Sequence, residues 1–238
     1  MPAHIEFDEI VDSRASHGYG GRFYGAFPAL VTDVVDPDGQ GRVKISLPWC
    51  PDPSGGSFAA WARLATFMAG SNQGSWFIPD VGVEVLVVFL HGDPRWPVVI
   101  GSFWNGSDQP PQSMDSSGNN NIKKLRSRTG VAITMDDTQG SQSLTLETPG
   151  GQKISLQDSP ASIQLQDSNG NSVKLDTSGV TIDTSMQVTI SASQHQITAS
   201  LVTVNAATSS FNGLTNHDTV ITNSIVSASY TPGAGNIW

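Results

Sequence analysis

From Thr129 onward the chain repeats one short pattern: two aliphatic residues separated by a single polar one, followed by a turn. The pairs are Ile133/Met135, Leu144/Leu146, Ile154/Leu156, Ile163/Leu165, Val173/Leu175, Val180/Ile182 and Val188/Ile190. This alternation is the period of a strand with one apolar face, and the units recur every ~7–11 residues with Gly, Asp, Asn, Ser or Pro between them. Two aliphatic side chains per unit, with almost no aromatic ones, do not close a core within one molecule. A face of this kind has to be covered, and the simplest cover is another copy of the same chain. The pattern predicts an intertwined β-prism, a rod with Ile154, Leu156, Ile163, Leu165, Val173, Leu175, Val180, Ile182, Val188 and Ile190 in its interior.

The first half has a different character. Aromatic residues and prolines crowd into roughly the first 110 positions, whereas Ser, Thr, Gln, Asn and Asp dominate afterwards. The change falls in the polar stretch NGSDQPPQSMDSSGNNN, Asn105–Asn121, which reads as a connector. Before it, two β-branched runs flank Asp36-Pro37-Asp38-Gly39, a hairpin signal in which Pro presets one dihedral and Gly supplies a positive φ. Further strands are expected at Ala59–Ala65, at Val83–Leu90 (apolar but for Glu84, and expected to be buried on both faces) and at Val98–Phe103. Five short strands and no helical period predict a small closed barrel of the oligonucleotide/oligosaccharide-binding type. The fold class is therefore all-β, an OB barrel followed by the β-prism.

Charge and cysteine content narrow the partners. The net charge is −9 with a pI near 4.7. Trp49, Trp61, Trp76, Phe77, Trp96 and Trp104 could stack on bases, but the basic groove that tracks a phosphate backbone is missing, so no nucleic-acid partner is expected. One cysteine, Cys50, rules out an internal disulfide framework and fits assembly in the reducing cytoplasm. The N-terminal MPAHIEFDEIVD does not read as a secretory signal, and the longest apolar run, Val85–Leu90, has the length of a strand.

Candidate chemistry is sparse. Gly74, Gly82, Gly92 and Gly101 lack the spacing of a phosphate-binding loop and read as turn and corner glycines. His91 and Asp93 have no marked nucleophile beside them, Cys50 reads as a packed thiol, and Asp136/Asp137 read as turn residues. Neither a catalytic residue nor a cofactor is expected. His195 shares the inward phase of Ile197, so symmetry-related copies of it could bind a metal or an anion on a molecular axis or simply bond to neighbouring Gln and Ser; His217 is a weaker candidate.

The run Trp61–Gly106, with Arg42-Val43-Lys44-Ile45, Trp61-Ala62-Arg63, Gly74…Phe77-Ile78-Pro79…Gly82, Glu84-Val85 and Gly92-Asp93…Pro97…Gly101, resembles the barrel of the central spike of contractile injection machines. That family includes phage baseplate assembly protein V, the valine-glycine-repeat spikes of type VI secretion, and the spikes of phage-tail-like extracellular particles. Ile122–Asp137 resembles the start of its β-prism, so the resemblance covers most of the chain from Gly25. It implies a homotrimeric, non-enzymatic needle in a phage tail or tail-like particle, seated on the baseplate and piercing the target cell envelope when the sheath contracts. It also implies a division into a hub-contacting segment 1–24, a barrel 25–105, a linker 106–121, a β-helical spike 122–229 and a tip segment 230–238. The linker leaves no room for the hydrolase domain some members insert there, and the short segment before the barrel implies that the hub is a separate protein. Asn236, Ile237 and Trp238 end the polar repeat abruptly behind Pro232-Gly233. The resemblance implies that they dock a tip protein of the proline-alanine-alanine-arginine repeat (PAAR) kind; the alternative is that they plug the prism's own end. A rival for the whole chain is a β-helical tailspike that binds or cleaves surface glycans, which the scarcity of aromatics after Asn121 disfavours.

Overall fold

The computed structural model describes residues 21–52 and 54–228, and within them the chain is all-β. The segment before 21 and the proposed tip residues Asn236, Ile237 and Trp238 lie outside the described residues.

Five strands close the barrel: β1 (Ala26–Asp33), β2 (Val43–Pro51), β3 (Ser57–Leu64), β6 (Glu84–Phe89) and β7 (Pro97–Ser102), in the order β1-β2-β3-β7-β6. All neighbours are antiparallel except β3 and β7, the arrangement of an OB barrel. The β1–β2 turn forms where Asp36 accepts from the backbone N–H groups of Asp38, Gln40 and Arg42 while Gly39 adopts φ +63°. Val31, Val43, Ile45, Leu47, Ala62, Val85, Val87 and Val99 fill the interior from alternate positions, with Cys50 beside them.

Two expectations change here. The strand at Val83–Leu90 is not buried on both faces: Val85, Val87 and Phe89 point into the core, and Glu84, Leu86 and Val88 are only half-covered. The barrel also begins earlier than residue 25. Phe23 is buried among Phe27, Trp49, Phe58 and Phe89, with ring centroids 5.0–6.5 Å away, and its N–H donates to Gly92 O at 2.8 Å. The Phe23 ring lies 5.6 Å from Phe27 and 5.0 Å from Phe89, centroid to centroid, and joins the barrel core. Gly92, at φ +71°, lies so close to the Tyr24 ring that a Cβ would stand 2.8 Å from it.

Between β3 and β6 the chain makes an excursion with a two-residue hairpin, β4 (Ala69–Gly70) against β5 (Gln73–Gly74). After the connector, seven five-residue strands form one antiparallel meander: β8 (Ile122–Arg126), β9 (Ala132–Asp136), β10 (Ser143–Glu147), β11 (Lys153–Gln157), β12 (Ser162–Gln166), β13 (Ser172–Asp176) and β14 (Gly179–Asp183). Six of the repeat units are strands β9–β14, and β8 adds one before them. The seventh, Val188/Ile190, is not a strand, because no described segment pairs with it. From Val188 to Ala228 the described residues form no strand and every one is exposed; bends recur at Ser193, Ser200, Ala207, Gly213, Asp218, Asn223 and Ala228. This last stretch falls in a compact unit of its own, 188–238.

Candidate assembly surface

The meander keeps perfect register, so the repeat becomes two continuous columns. Leu125, Ile133, Leu146, Ile154, Leu165, Val173 and Ile182 stand opposite one another from strand to strand, and Lys123, Met135, Leu144, Leu156, Ile163, Leu175 and Val180 form the second column. These are the second and fourth residues of each strand and share one face. The first, third and fifth residues put Lys124, Thr134, Thr145, Ser155, Gln164, Lys174 and Thr181 along the middle of the other face. In a water-soluble single sheet the aliphatic face should be covered. Here Leu144 and Val173 are half-buried and the other aliphatic members are exposed, with Leu165 at 45% and Ile182 at 60%. An apolar patch of that continuity marks an interaction surface.

The polar face is tied down by its own chemistry. Lys124 reaches diagonally across β9 to Glu147 (3.6 Å), passing over Thr134, whose hydroxyl is buried and unpartnered. Asp167 accepts from Asn171 and Asn169 in the β12–β13 turn, chiefly through the Asn171 side chain, and its carboxyl is lowered to about 2. Asp176 reaches the same value because Lys174 lies 2.9 Å away. At the end of the meander the Thr184 hydroxyl donates to the Asn171 side chain.

Beyond that point the backbone carries the argument. Unpaired amide groups are stable only when water or another chain takes them up, and Val188–Ala228 alternates polar residues with apolar ones such as Val188, Ile190, Ile197, Leu201, Val204 and Ile225. Val188 and Ile190 are exposed here, and so are His195 and His217. Ile154, Leu156, Ile163, Leu165, Val173, Leu175, Val180 and Ile182 are brought together on one face; Val188 and Ile190 are not among them. Among the described residues no group of His, Cys, Asp or Glu is arranged to hold a metal ion.

In the barrel, Asp36 is nearly enclosed and held far below the usual carboxylate range by Arg42, whose guanidinium also meets Asp38 and lies over the Trp61 ring. Asp93 pairs with Arg95 and is lowered to about 2. Burial pushes the Cys50 thiol up, as for a packed side chain. None of this converges on a cleft. What sequence reasoning missed is the excursion between β3 and β6, where Phe67, Trp76 and Phe77 stand largely in solvent (98%, 76% and 76% exposed). The signal was the run Phe67-Met68 and Trp76-Phe77 flanking a Gly/Ser/Asn turn, too short to compact on its own.

Family models match both regions. Residues 27–104 match the type VI secretion system/phage-baseplate injector OB domain, and residues 143–208 match the phage baseplate V C-terminal trimerisation domain. Both regions belong to the phage baseplate V family. The trimerisation match spans β10–β14 and runs on to residue 208, so one family domain includes both the uncovered face and the first half of the strandless stretch. Curated relatives include the type VI secretion system spike protein VgrG1b of Pseudomonas aeruginosa, 32% identical over 52% of this chain and 19% of its own length. VgrG3 of Vibrio cholerae, also named a type VI secretion system spike protein, is 30% identical over 49% of this chain and 13% of its own length. A protein of the same species named actin cross-linking toxin VgrG1 is 29% identical over 49% of this chain and 12% of its length. This chain thus matches a fifth or less of each of these relatives.

Proposed function

We propose that three copies of this chain form the central spike of a contractile injection particle, a mechanical part and not an enzyme. The observation that carries the reading is the pair of aliphatic columns left uncovered on a sheet within a trimerisation domain. Three such faces turned inward make a closed apolar interior, and the backbone of 188–228 finds its strand partners in the other two copies. Edges covered in this way resist shear along the whole needle. The relatives named as spike proteins support the role. The barrel end seats on a separate baseplate hub, a PAAR-type tip protein caps the far end through Asn236, Ile237 and Trp238, and the needle crosses the target envelope when the sheath contracts. Assembly takes place in the cytoplasm, and the particle is a phage tail or a tail-like relative. The test is sedimentation of the purified chain over a wide concentration range. A trimer that persists on dilution is expected, and a monomer at micromolar concentration would end this reading.

A further inference from the structure

After β14 the chain forms no strand among the described residues, yet it turns at regular intervals. The bends are seven residues apart from Met186 to Ala207 and five apart from Gly213 to Ala228. Counting from each bend sorts the large apolar residues into two classes. Those in second or fourth place, from Val188 and Ile190 through Val202 and Val204 to Val220 and Ile225, are 55–75% exposed. Those in first or third place, Leu201, Leu214, Ile221 and Val226, are 79–100% exposed. Side chains alternate along an extended chain, so second and fourth places share one side and first and third places the other. Bend spacing and exposure thus select the same side. The count also continues the meander, where Val180 and Ile182 are the second and fourth residues after the turn that ends at Ser178.

We propose that in the trimer the second- and fourth-place residues of 188–228 face the three-fold axis and the first- and third-place residues face solvent. The inference rests on the trimeric reading above and deepens it by naming the side that each copy turns to the other two. It departs from hydrophobicity in both directions. His195, Ser209, Thr215 and His217 take inward places, whereas Leu201, Leu214, Ile221 and Val226 stay outside. The other two copies are the occupant because the trimerisation match runs from β10 to residue 208, past the bends at Ser193, Ser200 and Ala207, while no strand of this chain pairs with the stretch. Hydroxyl and imidazole groups on an axis can bond to their symmetry copies, which an unpaired carboxylate cannot do. The sole Asp, Glu, Lys or Arg of 188–228 is Asp218, and it sits at a bend, away from the inward places.

The test uses the full chain with one new thiol at a time: Val202→Cys against its neighbour Leu201→Cys, and Ser209→Cys against Leu214→Cys, with the buried Cys50 common to all. Each variant is sedimented, reacted with a maleimide before and after denaturation in urea, and run oxidised on a non-reducing gel. Access of the thiol governs its labelling. Val202→Cys and Ser209→Cys should lose labelling in the native trimer, regain it in urea and give disulfide-linked pairs of chains. Leu201→Cys and Leu214→Cys should label fully in the native trimer and give no such link. Equal labelling within a pair, or protection of the outward member alone, in an intact trimer overturns this inference and leaves the spike reading standing. A pair in which only the inward member dissociates supports the assignment, and one in which only the outward member dissociates overturns it. An unmodified chain that sediments as a monomer overturns both readings together.

Discussion

The barrel strands run six to nine residues and the meander strands five, and both alternate inward and outward side chains, yet one region encloses its apolar face and the other does not. Val43, Ile45, Leu47, Val85 and Val87 have no measurable exposure, while only Ala132 of the seven-stranded sheet is buried. The difference lies in closure. Five strands that return on themselves through the parallel β3–β7 pair surround a volume, and each inward residue meets others across it. Seven strands in a meander form a plane, and a plane of two-residue columns has no opposite wall. Register and alternation alone therefore do not say whether a β-region is complete; the topology does.

The largest expected effect breaks the open region. Leu165→Asp puts one carboxylate per chain into the first column, hence three into the proposed interior, each costing several kcal/mol when buried without a partner. The trimer should be lost while the near-ultraviolet circular dichroism of the barrel aromatics stays as it was. Gln164→Asp, one residue away but on the polar face, should leave the trimer intact. A Leu165→Asp chain that sediments as a trimer with unchanged melting would show that the columns do not face the axis.

A smaller effect sharpens the closed side. Phe23→Ala removes a buried ring that touches four aromatic neighbours, and large-to-small changes of this kind cost about 3–5 kcal/mol. The loss should appear as a lower midpoint for barrel unfolding in urea with no change in oligomeric state. A barrel fragment beginning at residue 21 should accordingly be monomeric and more stable than one beginning at 25. Equal stability of the two fragments would return the boundary to Gly25.

These positions show what was legible in the sequence. The Asp36–Gly39 turn and the paired aliphatic residues specify their conformations within a few neighbours, so the hairpin and β9–β14 could be read directly. Phe23 could not, because its partners Phe58 and Phe89 lie far along the chain and nothing local distinguishes it from Phe7 or Phe67. The unit Val188/Ile190 has the same alternation as Val180/Ile182, but a strand needs a partner as well as a pattern, and sequence alternation carries no information about which chain supplies it. The aromatic excursion between β3 and β6 escaped for a related reason: exposure of Phe67 and Phe77 is a property of the loop's place on the barrel, and residue type alone does not tell a core aromatic from an exposed one.

The smallest expected effect tests whether the two regions answer acid alike. Asp36 and Asp93 in the barrel, and Asp167 and Asp176 in the meander, all have carboxyl groups lowered from 3.8, the latter three to about 2. A depressed carboxyl stabilises the folded chain above its unfolded pKa, and that contribution is lost as pH falls through the folded value, here between about 4 and about 2. Asp36→Asn should flatten the barrel's melting temperature across that window, because the more enclosed of Arg42's two carboxylate partners is gone at every pH and only the exposed Asp38 is left. Asp167→Asn should do so less, since its partners are neutral amides and backbone N–H groups that an asparagine oxygen still satisfies in part. The barrel and the trimer should therefore separate on acidification, with Asp36→Asn removing more of the pH dependence than Asp167→Asn. Melting curves at pH 2.5, 3.5 and 6 for both variants decide it, and equal flattening by the two would mean that the Arg42 pairing adds nothing beyond ordinary turn capping.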